Sequence, residues 1–133
     1  MYFFIKKYKA SQFIFEKNIE YWVEYKMVDF ICSINKERVG VSVTRAMEYD
    51  KIFDYEDAAK LLDKKIQGLV IARNSVVKSQ CFGKSYLHIW CQNSNIKNIL
   101  EDSFHCYKDL NDLKELDVIL TVCSDYRIYK NLK

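Results

Sequence analysis

Hydrophobic and polar positions alternate most clearly between Trp22 and Met47, WVEYKMVDFICSINKERVGVSVTRAM. Two runs rich in β-branched and aromatic residues, Trp22–Ile34 and Val39–Met47, flank the polar stretch Asn35–Arg38, and this composition predicts a β-hairpin. Setting Ile34 opposite Val39 gathers Val28, Phe30, Cys32 and Ile34 with Arg45, Val43, Val41 and Val39 on one largely apolar face, suited to a core. The other face then sets Asp29 opposite Thr44, Ile31 opposite Ser42 and Met27 opposite Ala46. A one-residue slip would dissolve that grouping, because side chains change face at every residue.

Residues 2–19, YFFIKKYKASQFIFEKNI, mix aromatic and polar groups in a pattern nearer a strand than a helix. A turn near Glu16–Asn18 would join Ile14–Phe15 to the hairpin as the edge strand of a meander. Beyond the hairpin, Asp54 is suited to a helix N-cap, with Asp57 completing a capping box. The helix it starts, over 54–70, carries Tyr55, Ala58, Ala59, Leu62, Ile66, Leu69 and Val70 as an apolar stripe, extended by Arg73. Tyr86–Cys91 reads as an interior strand, Asn93 or Ser94 as the start of a helix with Ile96, Ile99, Leu100 and Phe104 on one side, and Asp117–Ser124 as a strand buried on both faces. The order β-β-β-α-β-α-β predicts an α/β fold: a three-stranded antiparallel meander followed by α-β-α-β, with helices packed on a mixed central sheet.

At 133 residues, half of them hydrophobic and 29% charged, the chain suits a single domain over 1–133 with a sizeable core. A net charge of +3 permits a nucleic-acid partner without demanding one. Five dispersed cysteines without a CxxC spacing suit reduced thiols, and hence an intracellular, cytoplasmic or nuclear setting. No apolar run approaches the ~20 residues that cross a bilayer, so no membrane partner is expected.

Candidate chemistry centres on Asp29, whose carboxylate in MVDFI must be partnered or line a polar site. Its structural alternative is a carboxylate satisfied by Thr44 and a backbone amide. Glu24 and Lys26 share one strand face opposite Asp29, where a solvated ion pair competes with a metal-assisted cleavage site. Arg45, Lys60, Lys64 and Lys65 could meet phosphates, although helix lysines are ordinarily a wet face. His88 with Cys91, and His105 beside Cys106, have the residue types of a zinc site but not its spacing. Gly40, Gly68 and Gly83 are too scattered for a phosphate-cradling loop.

Hairpin, amphipathic helix and buried strand in this order resemble the αβββαβ core of the PD-(D/E)XK, or restriction-endonuclease-like, nucleases. In that family an aspartate on the second core strand is followed on the third by Glu-x-Lys. VDFI carries Asp29 in the first role, while Ser42 and Thr44 of VGVSVTRAM occupy the places of the glutamate and lysine. The likeness spans about residues 20–91 and is mainly topological. It implies a nuclease-fold domain whose catalytic positions, Asp29, Ser42 and Thr44, are degenerate, with DNA or RNA as partner. Mg²⁺, bound at Asp29, would be the cofactor only of an active enzyme, which would need an acid from Glu20 or Glu48 and an amine from Lys64 or Lys65. A protein-interaction or scaffolding module is the alternative from another class.

Overall fold

The computed structural model describes residues 2–19, 28–48, 52–110 and 115–123. Helix α1 (Tyr2–Tyr8) precedes β1 (Ser11–Phe15), a 3-10 turn over Glu16–Asn18, β2 (Phe30–Ile34) and β3 (Glu37–Ala46). Then come α2 (Tyr55–Ser75), a second 3-10 turn over Lys78–Gln80, β4 (Lys84–Cys91), α3 (Ser94–Leu110) and β5 (Leu116–Val122). The five strands form one mixed sheet in the order β1-β2-β3-β4-β5. The β1-β2-β3 half is antiparallel and the β3-β4-β5 half parallel, as expected for a meander followed by two helical crossovers.

The hairpin forms, with a register two residues away from the expected one. Ile34 faces Glu37, Cys32 faces Val39 and Phe30 faces Val41. The turn is the two-residue loop Asn35-Lys36, both at positive φ (51° and 68°), whose backbone twist matches that of the strands it joins, so pairing resumes at Glu37. An even shift preserves the faces. Phe30, Cys32, Ile34, Val39 and Val41 therefore lie in one cluster, and Ile31 and Ala46 in the other, as the alternation requires. Val28 departs from that pattern and joins Ile31 rather than Phe30, because β2 begins only at Phe30 and the chain bends at Asp29.

The first face is covered by α1, which the sequence pattern assigned to a strand. Seven residues are too few for a helical period to declare itself; aromatic packing decides the matter. Phe4 and Tyr8, one turn apart, stack with centroids 5.5 Å apart, and Phe4 meets Phe30 and Tyr86 edge-on. The turn at Glu16–Asn18 stands where expected.

On the second face lie α2 and α3. The capping box of α2 is present: Asp54 Oδ1 accepts from the Asp57 amide at 2.9 Å, and Asp57 Oδ2 from the Asp54 amide at 3.1 Å. Its buried residues are Ala58, Leu62, Ile66, Leu69 and Ala72, a narrower stripe than expected, with Tyr55 (57% exposed) and Val70 (42%) outside it. Asn93 caps α3 by accepting from the Ile96 amide at 2.9 Å, and Ile96, Ile99 and Leu100 are buried. Strand β5, expected to be covered on both faces, is the last in the sheet order, and Val118, Ile119 and Leu120 are only half-buried. Among the described residues, no helix is long and apolar enough to cross a membrane.

Candidate functional site

Strand β3 is twice as long as β2, ten residues against five, so it continues past the end of its partner. Pairing with β2 stops at Phe30 and Val41, while Ser42–Ala46 remain bonded to β4 on the other side. Among the described residues, the backbone ladder between β2 and β3 ends at this fork. Asp29 stands in it. Its amide donates to the Val41 carbonyl at 2.9 Å, and its own carbonyl accepts from the Glu16 amide at 3.1 Å. Its carboxylate Oδ2 accepts from the Val43 amide at 2.6 Å, a charge-assisted bond that extends the ladder by one rung. The acid expected in mid-strand is thus an exposed residue closing the end of β2, with a backbone amide as its partner.

Ser42 and Thr44 flank Val43 and are half-buried. Alternation places them with Gly40 and Ala46 on the α2 side of the sheet, and this small-residue face is used for packing. A Cβ on Gly40 would lie 2.6 Å from Cζ and 2.7 Å from Cδ2 of the buried Phe82 ring, so glycine is needed for the ring to cross β3.

Mg²⁺ prefers an octahedron of oxygens that includes one or two carboxylates. The fork provides one carboxylate with one oxygen already engaged, together with two hydroxyl side chains; these residues do not fit the ion. Glu48 is held elsewhere. Its amide donates to Gln92 Oε1 at 2.9 Å and its Oε1 accepts from Asn93 Nδ2 at 3.3 Å, which fastens it on the β4 side of β3, away from Asp29. Glu20, Glu24 and Lys26 lie outside the described residues. Among the described residues, no three His, Cys, Asp or Glu side chains gather as a metal site.

The expected phosphate-contacting cations are not brought together. Arg45 shares its sheet face with Val43, which packs on the α1 side, whereas Lys60, Lys64 and Lys65 belong to α2 on the opposite side. Lys60 lies 3.2 Å from Glu56, one helical turn earlier, in an exposed ion pair.

His88 and Cys91 occupy opposite faces, as strand alternation predicts. His88 is buried beside Phe3 (ring centroids 4.3 Å apart) and Trp90 (4.7 Å), with Nε2 2.9 Å from Thr121 Oγ1. Burial, reinforced by nearby positive charge including Lys7, lowers its pKa to about 4, so the imidazole is neutral near pH 7. Cys32 and Cys91 are buried, and burial raises both thiols to about 11; Cys81 and Cys106 are exposed.

Two features escaped the sequence pattern. One is the Glu48–Gln92–Asn93 cluster, of which only the capping role of Asn93 was visible. The other is a groove of about 260 Å³ between α2 and α3, lined by Leu62, Ser103, Cys106 and Tyr107 among others. Tyr55 closes its rim by donating to Asp102 Oδ2 at 3.1 Å.

No family model matches the sequence, and no solved structure matches it. Among curated proteins it is similar to the AAC-rich mRNA clone AAC4 protein of Dictyostelium discoideum, with 31% identity over 97 residues. That alignment covers 67% of this chain and 14% of the relative, so the likeness spans about a seventh of the relative's length.

Proposed function

We propose that the chain is a nuclease-fold domain whose cleavage site is silent and which contacts nucleic acid without cutting it. The element order α1-β1-β2-β3-α2-β4 supports this reading, because it follows the αβββαβ order of the restriction-endonuclease-like core. The observation that carries it is the place of Asp29, at the fork of β2 and β3 and hydrogen-bonded to Val43. The family resemblance assigns the motif's aspartate to Asp29, and the positions of its glutamate and lysine to Ser42 and Thr44 on either side of Val43. A hydroxyl offers neither the charge to hold a divalent ion nor a cationic donor for the developing negative charge. An active enzyme with relocated ligands is disfavoured by Glu48, whose carboxylate is engaged by Asn93. The packing of Gly40 against Phe82 favours the second reading, a protein-interaction module in which the small residues serve only the core.

Incubation with duplex DNA and with RNA in the presence of Mg²⁺ tests the proposal. The expected result is no cleavage, together with binding at low ionic strength that weakens steeply with salt. Mg²⁺-dependent cleavage that disappears in Asp29→Asn would overturn the silent site. Absence of binding at low salt would remove the nucleic-acid half and leave the interaction module.

A further inference from the structure

We infer that the phosphate-contacting surface lies at the hairpin-turn end of the sheet, where Lys9, Lys36, Arg38, Arg73, Lys78 and Lys84 gather, and that it fits the backbone of a nucleic-acid duplex. This inference rests on the nucleic-acid half of the proposed function and moves the contact away from Arg45 and the α2 lysines.

The fold itself assembles the cluster. Lys36 is in the turn, and β1 starts beside it, since Ser11 faces Ser33; Lys9 leads into that strand. Arg38 at the start of β3 donates to the Ser79 carbonyl at 2.7 Å, which places it against the turn that carries Lys78. Its own carbonyl accepts from the Gly83 amide, and Val39 faces Lys84 across the β3–β4 ladder. Arg73, in the last turn of α2, donates to the Gly83 carbonyl at 3.3 Å.

Charge at this end is unevenly compensated. Lys84 pairs with Asp117 at 3.1 Å, and among the described residues Glu37 and Glu115 also stand at this end. Both arginines are oriented by backbone carbonyls, which fix a guanidinium without neutralising it and leave further N–H donors for phosphate. Lys9, Lys36 and Lys78 are exposed. The opposite end of the sheet carries Asp29, Glu48 and the acidic first turn of α2, with Glu56 and Asp57. The chain's net charge of +3 is modest, and among the described residues charge is unevenly shared between the two ends of the sheet.

Among the described residues, no exposed aromatic ring stands at this end, which favours a duplex over a single strand. Single-strand binders stack bases on exposed rings. Here Phe82 and Tyr86 are buried, and the exposed large hydrophobic side chains described, such as Phe15 and Tyr55, lie elsewhere. Strands about 4.8 Å apart spread these cations over about 15 Å. A duplex presents a phosphate about every 3.4 Å along each of its strands, enough to meet about three uncompensated cations.

The test is a salt titration of binding to a labelled mixed-sequence duplex. A wild-type slope of log K against log salt near about −3 is expected. Combining Lys9→Asn, Lys36→Asn and Lys78→Gln should weaken binding by at least about tenfold and make the slope shallower by about 1 for each phosphate no longer neutralised. Asparagine suits positions 9 and 36, where φ is 52° and 68°, and an unchanged thermal midpoint checks the fold. A combined Lys60→Gln, Lys64→Gln, Lys65→Gln variant should bind within about twofold of wild type. Reversal of that ranking overturns this surface and leaves the proposed function standing. A wild type that binds no nucleic acid overturns both, and tighter binding of a single strand of equal length overturns the duplex assignment.

Discussion

The Asp29 carboxylate stands 2.6 Å from the Val43 amide nitrogen, in the place where a backbone carbonyl would stand had β2 continued beside β3. A side chain thus takes over the work of the ladder at the point where the two strands part. The same residue is the candidate catalytic acid of the family resemblance, so its structural and chemical roles can be separated by substitution.

Asp29→Ala should destabilise the protein by about 1–2 kcal/mol, less than the loss of a fully buried charged hydrogen bond, since the side chain is exposed. Asp29→Asn retains an acceptor and should lose less than half as much. Amide hydrogen exchange at Val43 should accelerate in the alanine variant. Unchanged protection of that amide would mean that the bond contributes nothing to the end of the strand.

His88 predicts an acid-sensitive fold. Its folded pKa of about 4 lies below the ordinary 6.5, so between these values the unfolded chain binds a proton that the folded protein refuses. Its contribution to stability is fully present above pH 6.5 and falls as the pH drops toward 4, by about 3 kcal/mol over the whole window. Denaturant unfolding of wild type and His88→Gln at several pH values isolates this residue from the carboxylates. The wild type should lose ground relative to the variant across that interval, and parallel curves would refute the assignment.

Gly40→Ala would ordinarily help a strand, yet here the new methyl meets a buried ring. The expected cost is about 1–3 kcal/mol, measured by denaturant unfolding. Introducing Phe82→Leu alongside should recover part of it, because the two sites share one space. Additive losses would show that the close approach is not the cause.

Thiol labelling should divide the cysteines by burial. In the native protein Cys81 and Cys106 should react readily, whereas Cys32 and Cys91, held as protonated thiols at about 11, should label only on unfolding. Mass spectrometry of the labelled peptides decides it; rapid native labelling of Cys91 would contradict its place beneath the helices.

Where an element repeats its own local rule, the sequence is enough. The alternation through Phe30–Ile34 and Glu37–Ala46 determined both faces of the hairpin, and the Asp54–Asp57 box and Asn93 determined where α2 and α3 begin. Even the two-residue error in register left the faces intact, since strand side chains repeat every second residue. By contrast, Tyr2–Tyr8 became a helix because Phe4 and Tyr8 found Phe30 and Tyr86, neighbours that no local period encodes. Tyr55 and Val70 fit the stripe of α2 as well as Leu62 does, and only the width of the surface beneath the helix left them outside. Sidedness follows the same logic: Arg45 and Lys64 are both basic in the sequence, but the sheet stands between their faces. Periodicity belongs to a single segment and can be read there, whereas which cations or carboxylates share a surface depends on how separate segments cross, and that is decided by burial in the assembled core.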